Sequence, residues 1–362
     1  MEAIDALFQG SHEREAFAKG TATRILNFLR ELEIDTAAKL TARIEAMSQR
    51  DKANFIRNRT RGQYSTERLQ RLLVSIQELS AEWRQITEVE IGKSAREIAA
   101  AEIALQAQTL ELVGVVGEGV SLNAVVSAAY AQPLLAQPLR QYFTEQQAGV
   151  KRAITRSLQR SFVAGETVDQ TVKSLLNTSV FARRQGEDLR KQRNAVRMLA
   201  RTGLNHIATV TTRETFKALN VEYWIFLSVL DGRTSTVCKG LSRTRWKVTN
   251  DSAPWPPRHP NCRSTPIWGD EEIEGGTQSS NMANGPTPVS AELSYEELMR
   301  RQPIAWQRQQ FSARQWQLYN EGNVPLRGLS DTKMTRELTD GELEIRYSEI
   351  LGRLNGADRQ AA

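Results

Sequence analysis

The chain's only two cysteines, Cys238 and Cys262, and one of its three histidines, His259, lie in one stretch from Asp231 to Arg263. Thiolates and a neutral imidazole are the donors zinc takes at short distance. His259 and Cys262 stand three apart across Pro260-Asn261, a dipeptide that makes turns, so both side chains can be aimed the same way. If Cys238 folds back on them, three donors converge. A closed structural zinc shell needs four, and no second cysteine lies two to four residues from Cys238. Asp231 is the remaining candidate for the fourth place, unless it caps the turn after the strand that precedes it. Two other uses stay open. The same residues can be buried small thiols and a hydrogen-bonded histidine that lock a loop, or a cysteine nucleophile with a histidine base, for which the sequence assigns no third member. His206 falls in a basic helix and reads as a surface or interface residue, and His12 sits in a polar segment.

A second constellation is basic. Arg190, Arg193, Arg197 and Arg201 recur in steps of three and four, which puts them on one side of a helix, with Leu189, Val196, Leu199 and Ile207 on another. Four guanidiniums on four phosphates would give a log-affinity against log-salt slope of about −3 to −4. Lys151, Arg152, Arg156 and Arg160 on the preceding helix could join them. The competing reading is a solvated face paired with carboxylates such as Glu187 and Asp188. Double-stranded DNA or an acidic protein patch are the partners such a face would take. There is no Gly-rich phosphate loop, paired catalytic carboxylate motif or serine nucleophile elbow, so the expectation is a protein that is not an enzyme.

The elements that must position these residues can be read from pattern. No proline occurs before Pro133, and the Ala, Leu, Glu, Arg and Gln content up to about residue 110 predicts long helices. Leu69, Leu72, Ile76, Leu79, Trp83 and Ile86 form an apolar seam of about two and a half heptads, which suits a helical bundle better than an autonomous coiled coil. Glycines at 114, 117 and 119 and prolines at 133 and 138 mark a break. Helices are predicted at 142–162, 168–176 and 183–219, the last interrupted near Gly203. The aromatic and branched run from Tyr223 to Leu230, followed by Asp231-Gly232, predicts a buried strand ending in a turn, and 243–248 a second strand. Residues 271–290, rich in Gly, Ser and Glu, have the composition of a flexible acidic link. Helices at 295–319 and 331–354 would follow.

The fold expected is therefore α+β: a long, mostly helical N-terminal arm (1–130), a central helical and small-sheet domain (131–270), an acidic linker (271–294) and a helical or irregular C-terminal appendage (295–362). The length of 362 residues allows two or three domains, and 40% hydrophobic with 25% charged residues is a soluble composition. No membrane partner is expected, because the most apolar stretch, 110–130, carries Glu111 and Glu118. Two cysteines exclude a disulfide framework. The first twenty residues lack the basic-then-apolar order of an export signal, so folding in a cytoplasm is the default. Net charge is +6, too mild by itself to require a nucleic acid.

Taken in order, Ala200-Arg201-Thr202, Asn205, Arg213, Glu214, Trp224, Asp231-x-Arg233-Thr234, Cys238, Gly240 and Pro256-Pro257-x-His259-Pro260-Asn261-Cys262-Arg263 resemble the phage head morphogenesis family, the Mu F-like minor head proteins. The likeness spans about Lys151 to Trp268. It implies a low-copy structural protein of a tailed phage, a virion head component assembled in the host cytoplasm near the portal. Portal protein and major capsid or scaffolding protein would be its partners, with a DNA contact in some relatives. It brings no catalytic activity. Asp231, Arg233, Thr234, Pro260, Asn261 and Arg263 would be its structural motif residues. Many relatives carry cysteines where this chain has Ser235 and Ser264, a departure that bears on any zinc site.

Overall fold

A computed structural model describes residues 2–117, 119–175, 187–269, 276–320, 324–331, 336–339, 341–343 and 345. In chain order these form helices α1 (Glu2–Glu45), α2 (Gln49–Ile56), α3 (Glu67–Glu111) and α4 (Leu122–Ala131) and a hairpin of β1 (Pro133–Leu134) and β2 (Gln137–Pro138). Helices α5 (Leu139–Val163), α6 (Val168–Leu175) and α7 (Glu187–Ala218) follow, then strands β3 (Tyr223–Leu227) and β4 (Leu230–Asp231), helix α8 (Thr236–Leu241), and strands β5 (Arg245–Lys247) and β6 (Thr265–Trp268). The remainder is β7 (Thr277–Met282), β8 (Gly285–Ser290), α9 (Tyr295–Arg300), α10 (Ile304–Gln309), α11 (Ala313–Asn320), β9 (Ser330–Asp331) and β10 (Arg336–Glu337). The fold is α+β, as the sequence pattern requires. No helix among the described residues is long and apolar enough to cross a membrane.

The chain divides into two compact units, each assembled from separated segments. One holds residues 17–96 and 130–204, the other 1–16, 97–129 and 205–362. This division cuts across the expected arm and central domain, because α1, α3 and α7 each give residues to both units.

The 17–96 and 130–204 unit is a helical bundle. In α1 the buried positions Ala18, Ala22, Ile25, Leu29, Glu33, Thr36, Leu40 and Ile44 step by three and four, and Leu69, Leu72, Ile76, Leu79 and Trp83 of α3 do the same. The apolar seam of α3 is thus buried within its own chain, Trp83 completely, and Thr21 of α1 meets Ser94 of α3 at 3.0 Å. Helix α7 runs unbroken through Gly203, contrary to the expected interruption. A lone glycine weakens a helix by only about 1 kcal/mol, and packing outweighs that: a Cβ at 203 would sit 3.4 Å from Leu139.

The other unit carries the sheets. Strand β3 lies between β5 and β6, antiparallel to both. Its side chains alternate between two cores: Trp224 and Phe226 join Phe216, Val237, Leu241, Cys238 and Cys262, while Ile225 and Leu227 join Leu7, Phe8 and Ile267. A strand buried on both faces reads as the continuous apolar run seen here. A second sheet has the order β4-β7-β8, with β4 parallel to β7 and β7 antiparallel to β8.

That second sheet corrects the expected linker. Residues 277–290 form a paired hairpin, in which Gln278, Ser280 and Met282 are buried and Thr277, Ser279 and Asn281 exposed. The period-2 burial falls on polar side chains, which composition reads as loop. Residues 270–275 and 346–362, with most of the helix expected at 331–354, lie outside the described residues. The segment from 295 to 320 is three short helices, and it is built into this unit: Tyr295, Leu298, Met299, Leu318 and Tyr319 share a core with Leu230 and Met282.

Candidate metal centre

The three predicted donors come from three local devices. Cys238 sits in the first turn of α8, whose N-cap is Ser235; the Ser235 hydroxyl accepts from the Cys238 backbone N–H at 3.3 Å. His259 and Cys262 bracket a turn closed by the Cys262 N–H donating to the His259 carbonyl at 3.1 Å. Pro260 precedes Asn261 in that turn, and Asn261 has φ of 60°. Proline followed by a left-handed residue is what a type II turn demands, and asparagine tolerates that conformation. The approach to the turn is stiffened by Pro256-Pro257, joined by a cis peptide bond.

Asn205 of α7 fastens the far side. Its Nδ2 donates to the carbonyls of Cys262 at 3.1 Å and Ser264 at 3.2 Å, both buried. Ser228, at the end of β3, donates to the Cys238 carbonyl at 2.5 Å. Trp224 stacks on Trp255 with ring centroids 4.1 Å apart, and Arg213, paired with Asp251 at 2.7 Å, lies over the same Trp255 ring.

The result is a tight cluster. Cys238 Sγ is 3.7 Å from Cys262 Sγ and 3.1 Å from His259 Nε2, and all three donor atoms lie within 4.8 Å of one another. Both cysteines are free and 2% exposed; His259 is half-buried. Two thiolates sharing a tetrahedral zinc at about 2.3 Å each would be about 3.8 Å apart, so the sulfurs already stand at the separation a shared ion requires. The His259 Nδ1 faces the Pro260 carbonyl at 2.9 Å; with the proton on Nδ1, the Nε2 lone pair is left for a ligand. This cluster can hold a metal ion.

Charge and protons in the cluster are unequally shared. The Cys238 thiol is pushed well above its ordinary range, first by its hydrogen bond to Cys262 and then by burial. Burial works against the Cys262 thiolate too, yet hydrogen bonds from Cys238 and His259 and the imidazolium charge hold its pKa well below the usual thiol range. For His259 burial favours the neutral ring, but the hydrogen bond and attraction to Cys262 win, and its pKa rises. Of the two thiols, Cys262 is therefore the more readily ionised, with Cys238 and His259 as the neighbours that favour its charge.

Asp231 is not a fourth ligand. Both its oxygens accept from Arg263, at 2.6 and 2.7 Å, and it accepts further from the Arg233 N–H at 3.0 Å and the Thr234 hydroxyl at 3.2 Å. Burial raises its pKa, and Arg263's hydrogen bonds and charge more than reverse that, leaving it lowered. Arg263 turns to Asp231 while the adjacent Cys262 turns to Cys238. Thr234 donates to the Val229 carbonyl at 2.5 Å, and the Tyr295 hydroxyl donates to the Asp231 carbonyl at 2.8 Å. The expected cap and turn is therefore the role Asp231 fills.

Two polar neighbours, which the sequence singled out only as departures from cysteine, face the cluster. Ser235 Oγ lies 2.7 Å from His259 Nε2, and the Ser264 hydroxyl hydrogen-bonds the Cys238 thiol, favouring its ionised form. An N-cap serine three residues before Cys238 was the available signal for the first. Arg258 also faces the pair: burial lowers its pKa, and the two cysteines' charge acts against that.

In the helical unit the four arginines do not make one free stripe. Arg193 forms an ion pair with Glu33, whose side chain is 5% exposed. Arg197 donates to Asn194 at 2.7 Å, Arg201 is half-buried, and Arg190 is exposed. His206, in the sheet-bearing unit, is buried with its Nε2 2.9 Å from the Ala129 carbonyl, which corrects the expected surface histidine: α7 is buried along Thr202–Thr212. Set against protein-family models, curated proteins and solved structures, the chain matches none of them.

Proposed function

We propose that the chain is a structural protein of a phage head, of the minor head protein kind, whose loop closed by Cys238, His259 and Cys262 is a rigid recognition knob that performs no reaction. One observation carries this reading: the ordered residues behind the resemblance are used together. Asn205 ties the backbone at Cys262, Arg213 and Trp224 flank Trp255, Asp231 gathers Arg233, Thr234 and Arg263, and Cys238 meets His259 and Cys262. These contacts all fall around the loop that Cys238, His259 and Cys262 close. Portal protein and major capsid or scaffolding protein are the partners this reading names. Mass spectrometry of particles and procapsids from the phage encoding the chain tests it. The chain should be present at low copy in either, and its absence from both defeats the reading.

Zinc is the ion that two thiolates and an imidazole select. Cys238, Cys262 and Nε2 of His259 would hold it, and it would cross-link α8 to the turn. Elemental analysis after zinc-supplemented purification should find one zinc per chain, lost in Cys262→Ala. No zinc, together with a Tm unchanged by chelator, would exclude it and leave the loop locked by thiols and hydrogen bonds.

The open fourth position favours one other reading, a metal-dependent nucleic-acid enzyme or toxin-like module on the same three residues. Cleavage of DNA or RNA by the zinc-loaded chain, abolished in Cys262→Ala, would establish it in place of the structural role.

A further inference from the structure

The two units differ in charge far more than the whole chain suggests. Residues 17–96 and 130–204 hold 28 Lys and Arg against 15 Asp and Glu, a formal charge of +13; the other unit holds 20 against 27, a charge of −7. The net +6 conceals this, because the segments of each unit alternate along the chain.

Within the basic unit one run of charge covers α2, the loop that follows it and the first turn of α3. From Arg50 to Arg71 there are seven basic residues, Arg50, Lys52, Arg57, Arg59, Arg61, Arg68 and Arg71, and two acidic ones. The acids are both engaged: Asp51 is buried, accepting from Ser48 and Thr66, and Glu67 is paired with Arg71. Arg50, Arg57, Arg59 and Arg61 are exposed, and among the described residues none of them has a carboxylate at ion-pair distance.

The segment that presents them is held firmly. Ser48 and Asp51 make a capping box at the start of α2. Gln70 Nε2 donates to the Thr60 carbonyl at 2.9 Å and to Ser65 at 2.7 Å, and the Arg59 N–H donates to the Asn54 carbonyl at 2.8 Å. From α5, Gln159 Nε2 donates to the Phe55 carbonyl at 3.1 Å and to Asn58 at 2.9 Å. That contact sets the exposed Arg156, one turn earlier on α5, beside the loop. Arg57, Arg59 and Arg61 on a fixed loop, with Arg50 at the start of α2, incur little ordering entropy on binding an anion.

We propose that this arginine loop is a binding site for the phosphate backbone of duplex nucleic acid, read without regard to base sequence. Arginine's planar fork matches phosphate. Between residues 48 and 71 no large apolar side chain is exposed, so the patch lacks the apolar centre of a protein interface. Its one tyrosine, Tyr64, is covered by Arg59 at 5.3 Å, which leaves no open aromatic platform for unstacked bases. The site is independent of the head-protein reading and of the α7 arginines.

The test uses the full chain and a fluorescein-labelled random 30-base-pair duplex, with affinity followed by anisotropy from 50 to 200 mM KCl. Replacing Arg57, Arg59 and Arg61 by Ala should make the log-log salt slope shallower by about 2.7, so that the wild type loses about fortyfold more affinity than the variant over that range. Arg301→Ala with Arg308→Ala, exposed positions of the acidic unit, should leave the slope unchanged. Excess poly-glutamate at matched charge should displace little duplex. Absence of binding at 50 mM KCl, equal slopes for wild type and the loop variant, or full displacement by poly-glutamate, which would mark a general acidic-protein surface, each overturns the proposal. A circular dichroism melt of the loop variant, expected to match wild type, separates lost contacts from lost folding.

Discussion

Removing the carboxylate of Asp231 should destabilise the sheet-bearing unit more than any surface charge change. Its side chain is 6% exposed and that of Arg263 12%, with both oxygens engaged by the guanidinium. In Asp231→Ala the guanidinium stays behind, mostly buried, with a 3.9 Å approach to Glu15 as the ion pair remaining to it. Breaking a buried pair from one side costs about 3–5 kcal/mol, and the partial exposure of Arg263 places the expectation at about 3. For a unit of this size that corresponds to a fall in Tm of about 6–12 °C. The assay is thermal and urea unfolding of wild type, Asp231→Ala, Arg263→Ala and the double variant. The double variant should cost less than the sum of the singles by about 2 kcal/mol or more. The pH dependence has a defined sign. Because the folded-state pKa of Asp231 is lowered, its contribution is complete above the ordinary value of 3.8 and is lost as pH falls through the folded value. Stability of wild type should therefore drop more steeply below about pH 4 than that of Asp231→Asn. A loss under about 1 kcal/mol in Asp231→Ala, or strict additivity in the cycle, would refute the account of Asp231 as the anchor of the loop.

Asn205→Ala leaves the buried carbonyls of Cys262 and Ser264 without that donor, and a loss of about 1–3 kcal/mol is expected, with faster amide hydrogen exchange around 259–264 as the local readout. Gly240→Ala should be severe, because its Cβ would lie 2.7 Å from the Arg327 Cα and 3.0 Å from the Leu326 carbonyl, backbone atoms that cannot step aside; Gly20→Ala, in the middle of α1 with nothing within 4 Å, should instead stabilise by about 0.5–1 kcal/mol. Both are read by urea unfolding. Trp83→Ala, at a fully buried position, should cost about 3–5 kcal/mol in the helical unit's transition.

Much of the candidate centre was legible because its determinants are local. Pro260-Asn261 makes a turn wherever it stands, Ser235 caps whatever helix follows it, and a continuous run of aromatic and branched residues at 223–227 must be buried on both faces. The helices of the first hundred residues, the helices at 139–163 and 168–175 and the apolar seam of α3 followed from the same kind of short-range periodicity. The hairpin at 277–290 did not, since its buried positions are Gln, Ser and Met and its strand identity comes from pairing with β4 and between its own arms. Gly203 looked like a break because propensity is a local quantity, whereas the helix through it is sustained by what packs on either side.

Composition and order along the chain thus determined the fold class, the donors that could meet a metal and the turn that aims two of them. Which residues actually meet was decided in three dimensions: Asp231 was drawn to Arg263 and away from the thiols, Arg193 to Glu33 and out of the basic stripe. The partition of charge into a unit of +13 and a unit of −7 is also a tertiary property. Long helices carry the chain back and forth between segments that are distant in sequence, and electrostatic potential sums over neighbours in space, which no linear window can see.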